Sequence, residues 1–215
     1  MTRFMTRSQF LASLAAAGIT LAALVSTYAW AQQQDAAQPP LPPGWTQEDM
    51  QKCIAAGTPG DIHKQMAKGV GMWKGKNTMW MYPGAEPVQY ESSVELSMIM
   101  DGRFLKVEIE SQMPGMGPYH GIGVYGYDNV QGRHVSMWID TLSTAITHGV
   151  GEPSPDGKSL VFTYNFHCPV TGKPTTMREV NTSTGPDSET LELYTIEPKT
   201  GKEYKMMQID LTRQK

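Results

Sequence analysis

Cysteine is scarce in this chain: Cys53 and Cys168 are the only two among 215 residues, and neither has the close spacing of a metal-ligating pair. In an oxidising compartment they could close one disulfide between an N-terminal helical segment and the body of the fold. They could equally stay unpaired and buried, since a bridge needs Cα atoms within about 7 Å. A basic excess is missing as well. Lys and Arg total 18 against 21 Asp and Glu, a net charge of -3, which argues against a nucleic-acid partner because nothing is left over to neutralise phosphates. Past residue 31 no apolar run is long enough to span a bilayer. No unit recurs at a fixed period, which excludes a propeller or solenoid. Ser143-Thr144 lacks the Gly-x-Ser-x-Gly elbow, and no Cys-His or Ser-His arrangement is legible, so the order of residues assigns no catalytic group and no cofactor.

The N-terminus does carry a signal. Arg3 and Arg7 form a cationic start, Phe10 to Val25 form an apolar stretch too short for comfortable spanning, and Ala29-Trp30-Ala31 fits a small-residue cleavage site. Residues 1–31 therefore read as a signal peptide that places the protein in the periplasm or outside the cell, with a mature start at Gln32 and no membrane span after cleavage. Thr6 to Leu11 resembles a twin-arginine signal but has Ser8 where the second arginine belongs, so general secretion is the expected route. Residues 32–45, rich in Gln and Pro, read as a flexible leader. Residues 46–215 make one domain of ordinary size.

Within that domain Thr46 can cap a helix running to Ala56. Thr58-Pro59 offers a second start for a helix from Asp61 to Lys68. From Trp73 the pattern turns to period two, and strands are predicted at 72–81, 89–100, 103–113, 118–128, 133–140, 144–151, 158–166, 173–181, 189–196 and 202–213. Asp101-Gly102, Asn129 to Gly132 and Pro155-Asp156-Gly157 are among the turn formers between them. About ten short strands in succession would leave long edges unless the sheet closed, so the expected fold is mainly β: a single antiparallel up-and-down barrel preceded by one or two short helices. A sandwich is the alternative.

Gly71-Met72-Trp73 opens the first strand, and Arg213 lies near the end of the last. This pairing resembles lipocalin-like barrels, in which an arginine lies across such a tryptophan and closes one end; the resemblance assigns Gly71, Trp73 and Arg213 to barrel closure. A haem-binding relative of that class has a similar opening, but its haem-ligating histidine lies near the C-terminus and no histidine follows His167 here. Gly71 to Gly75, Asp101 to Leu105, Gly126 to Asn129 and Trp138-Ile139-Asp140 with Ser143-Thr144 are similar, in order, to a bacterial family catalogued as domain of unknown function 1579. That resemblance implies the lipocalin-like fold and brings no activity.

Candidate ligand contacts follow from alternation. Val94, Leu96 and Met98 share one strand face, as do Phe162 and Tyr164, while Tyr125, Tyr127, Trp138 and Asp140 offer a polar-tipped group across a hairpin. The expected partner is a small apolar or amphipathic molecule held by Met98, Tyr125, Tyr127, Trp138, Asp140, Phe162 and Tyr164. A filled barrel serving as an envelope interaction domain is the second reading, with Met113 to Pro118 as a contact loop. The third is an enzyme site around Asp140, Tyr127 and Arg178. Glu108 and Glu110, alternating with Val107 and Ile109, are expected on a solvated outer face. His120, His134, His148 and His167 do not converge under the same alternation, so no metal site is assigned.

Overall fold

A computed structural model describes residues 40–215. Residues 1–39, on which the expected signal peptide and most of the expected leader fall, lie outside the described residues. The chain divides into two units, residues 1–50 and 51–215. In the first, Thr46 Oγ1 accepts from the Asp49 amide (3.2 Å) while the Thr46 amide donates to Asp49 Oδ2 (2.9 Å), a reciprocal cap that opens α1 (Gln47–Gly57).

In the second unit the remainder of α1 leads to α2 (Asp61–Ala67), and ten strands follow: β1 (Gly71–Met79), β2 (Val88–Ile99), β3 (Phe104–Met113), β4 (Gly117–Asp128), β5 (Arg133–Asp140), β6 (Thr147–Pro153), β7 (Ser159–His167), β8 (Pro174–Gly185), β9 (Ser188–Ile196) and β10 (Glu203–Arg213). Each pairs antiparallel with its sequence neighbour, and β10 pairs with β1, so the sheet closes into a barrel. Closure leaves no free edge, which is why so many Val-, Tyr- and Thr-containing strands can stand side by side. Among the described residues no helix is long and apolar enough to cross a membrane.

The turn formers sit where the sequence puts them. Met100, Asp101 and Gly102 all have positive φ between β2 and β3, a conformation that aspartate and glycine tolerate. Several boundaries differ from expectation, among them the end of β8, which runs to Gly185 rather than 181, and two whose cause the side chains show. β6 begins at Thr147 rather than 144, because the Asp140 and Ser143 side chains hold residues 142 and 145 in local turns. α2 is capped at Gly60, not Thr58, whose hydroxyl instead donates to the Ile54 carbonyl at 2.6 Å.

We call the end of the barrel where β1 begins the base, and the opposite end the rim. At the base the Trp73 indole N–H donates to Gly69 O (2.9 Å), and the Arg213 guanidinium lies 4.3 Å from the Trp73 ring centre. Arg213 also donates to Lys68 O and Val70 O and to Asp187 in the turn between β8 and β9. Gly71 has φ +139, and a Cβ there would press on this guanidinium, so only glycine fits. Above the plug Trp73, Val94, Ile109 and Ile209 form a buried cluster across β1, β2, β3 and β10. Each such side chain contributes about 1.5–3 kcal/mol when fully buried.

Both cysteines are free, the second of the two alternatives that the sequence leaves open, although Cys168 alone is buried. Cys53 is exposed on α1, whose C-terminal carbonyls meet the turn between β4 and β5 at the base. Cys168 follows β7 at the rim, a strand's length away. Nine residues of strand rise roughly 27 Å, far beyond bridging distance.

Candidate functional site

The barrel is hollow. A cavity of about 1300 Å³ runs along its interior, walled by inward-facing side chains of the strands and floored by Ile62, Gln65 and Met66 of α2. Glycines on β4 and β6 help keep it open. A Cβ on Gly123 would collide with the Trp138 ring, and one on Gly149 with the Tyr164 ring and the Ser136 hydroxyl. Without those Cβ atoms the rings fold against the wall instead of filling the centre.

Of the expected ligand contacts, Tyr125, Trp138, Asp140, Phe162 and Tyr164 line this cavity. Met98 and Tyr127 do not. Met98 pairs with Leu105 low in the barrel. Tyr127 pairs with His134 near the base, where its ring meets those of His63 (6.2 Å) and His134 (5.1 Å). The expected grouping of Asp140 with Tyr127 is therefore corrected: an antiparallel hairpin puts the end of one strand beside the start of the next, so the two residues stand at opposite ends. Asp140 instead accepts from the Trp138 indole N–H (3.1 Å) and the Leu142 amide (2.9 Å). Burial, then the Asp140 charge, holds the nearby Tyr119 phenol well above its ordinary range.

Arg178 is likewise absent from the interior. It points outward, paired with Glu203 (2.9 Å) and stacked on Tyr194 at 4.0 Å. The next residue, which sequence reasoning passed over, holds the centre of the site. Glu179 is buried on the inner face of β8 and accepts from Tyr164 Oη (3.0 Å), from Tyr125 Oη (3.3 Å to each oxygen) and from Asn181 Nδ2 (2.6 Å). Ser136 Oγ donates to Tyr164 Oη at 3.0 Å and completes the chain. The register explains the gathering: Tyr125, Ser136, Gly149, Tyr164 and Met177 lie at one level across five adjacent strands, and Glu179 follows one inward step along β8.

Burial pushes the Glu179 carboxyl above its ordinary range, against the pull of its three donors. Burial and the Glu179 charge push the Tyr125 and Tyr164 phenols far upward, so both keep their protons and donate. Burial, with His63 nearby, lowers His134 on the cavity wall and favours its neutral form. A second polar group lies on β1 to β3, where Asn77 Nδ2 donates to Tyr90 O (3.2 Å) and Ser92 Oγ (2.9 Å). Asn77 Oδ1 and Ser111 Oγ are buried without a protein partner.

On the outer surface Glu108 pairs with Lys106 (2.7 Å) and His120 (2.8 Å), the solvated arrangement that alternation predicts. Among the described residues no three His, Cys, Asp or Glu side chains gather as metal ligands would.

Among solved structures the fold is similar to that of an S-type phycobiliprotein lyase from Guillardia theta. The match has 11% identity and a TM-score of 0.50, and covers 76% of this chain and 97% of that one. At that identity the likeness is one of fold. No curated protein matches the chain. Residues 58–213 match the family described as "Protein of unknown function (DUF1579)", from just before α2 to the Arg213 plug, and the chain belongs to that family.

Proposed function

We propose that this protein is an exported binding module that holds one small apolar or amphipathic molecule inside its barrel. The observation that carries the reading is the cavity itself, about 1300 Å³ of largely apolar wall around one buried polar cluster. Barrels of this size accommodate single ligands, and a few convergent polar groups in an apolar hollow fix a ligand's orientation. The export signal at residues 1–31 supports a place in the periplasm, where a soluble carrier of apolar molecules has water to shield them from.

The test is a titration with N-phenyl-1-naphthylamine, a neutral dye that brightens in apolar surroundings. The protein should take it up saturably at one site. Leu105→Trp combined with Leu193→Trp, which narrows the cavity from nearly opposite walls, should weaken uptake by about tenfold, a loss of about 1.4 kcal/mol. Saturable uptake that ignores the double substitution, or no uptake by the unaltered protein, would contradict the reading.

A further inference from the structure

The barrel sorts its charges by face. Along β1 to β10 the inward-pointing carboxyl side chains are Asp140, Glu179 and Glu189. The strand lysines and arginines alternate outward, where Lys74, Lys106, Arg178 and Lys205 each pair with an external carboxylate. Arg213 is spent on the base plug. Lys158 is the one lysine or arginine among the cavity-lining residues, and it sits in an exposed turn between β6 and β7. A ligand head inside the barrel therefore meets carboxyl groups with no lysine or arginine on the inner face of the strands; the imidazoles on the wall are His134 towards the base, held towards its neutral form by burial, and His167 at the rim end of β7.

The hydrogen-bond inventory points the same way. Most donors around Glu179 are already committed: Tyr125 and Tyr164 to the carboxylate itself, Ser136 to Tyr164, and one of the two Asn181 Nδ2 hydrogens to Oε1. The Trp138 indole N–H is committed to Asp140. An incoming carboxylate or phosphate would find most of these groups occupied and would lie against a carboxyl. Acceptors, by contrast, are in surplus. A carboxylate offers about four lone-pair sites, more than the three donors at Glu179 fill, and Asn77 Oδ1 has no protein partner; the unpartnered Ser111 hydroxyl, which can donate or accept, lies on β3, five strands from Glu179. A surplus of buried acceptors is matched by a guest that brings donors.

We propose that the cavity selects amphiphiles ending in a protonated amine over those ending in a carboxylate or phosphate, with the ammonium N–H groups meeting Glu179. This rests on the reading of the barrel as a ligand carrier and names the class of ligand. The apolar wall takes the hydrocarbon body, and the head reaches a carboxylate fixed by two phenols and an amide, so the anchor is organised before the ligand arrives.

Competition against bound N-phenyl-1-naphthylamine tests it, with dodecylamine, dodecanol and dodecanoate each kept below its micelle-forming concentration at pH 7. Dodecylamine should displace the dye at a concentration about tenfold or more below that needed for dodecanoate, and Glu179→Gln should bring that ratio towards one. Dodecanoate competing as well as dodecylamine would overturn the selectivity while leaving the carrier reading intact. Failure of the dye and all three amphiphiles to bind would overturn both. The ratio in the unaltered protein decides the question by itself, so a variant that fails to fold does not weaken the test.

Discussion

Glu179 is stabilised by three donors and destabilised by its burial, and burial dominates, so its carboxyl titrates above the ordinary value of 4.5. The folded protein then holds this proton more tightly than the unfolded chain does. Its contribution to stability is fully present below about pH 4.5 and is lost as pH rises through the higher folded value. Urea unfolding followed from pH 4 to pH 8 should show the unaltered protein losing stability relative to Glu179→Gln across that rise. Parallel curves would mean that the carboxyl is not buried as described. The residue was not legible in the sequence because Met177-Arg178-Glu179-Val180-Asn181 puts polar groups on both faces of β8. Only the register of a closed barrel decides which face points in, and a shift of one residue exchanges Arg178 for Glu179. Tyr125, Trp138, Phe162 and Tyr164 were legible, because each has an apolar body in a strand whose alternation is clean.

At the scale of elements, α1 has no buried residue and is held on its barrel side by polar contacts. The Asn129 side-chain amide donates to the carbonyls of Ala55 (3.3 Å), Ala56 (3.2 Å) and Thr58 (2.8 Å), and Arg103 Nε donates to Gly57 O (3.0 Å). Two base turns thus supply donors for carbonyls that the end of a helix leaves unpaired. Asn129→Ala should raise hydrogen exchange in residues 51–58, by roughly 1 kcal/mol of local protection, while the strands keep theirs. Exchange that rises evenly through the barrel would instead show α1 to be part of the cooperative core. The hairpins were readable from their turn residues. The role of α2 was not, since Ile62 and Met66 in a seven-residue helix look like any short amphipathic turn until closure of the barrel creates a floor for them to cover.

For the barrel as a whole, the number and order of strands followed from period-two patterning and regularly spaced turns, and closure followed from the need to bury edges. Whether the interior is hollow did not follow. That depends on glycines at 123 and 149 drawing the rings of Trp138 and Tyr164 flat against the wall, a relation between strands that no local pattern records. The charge sorting, acids inward and bases outward, is likewise a property of the closed register. The most direct measurement of the central claim is native mass spectrometry of the protein purified gently from the periplasmic fraction of expressing cells. The expected species is a chain beginning at Gln32 that carries one stoichiometric small-molecule adduct, lost when Leu105→Trp and Leu193→Trp narrow the cavity. A bare barrel, still bare after incubation with lipid and metabolite extracts, would contradict the claim.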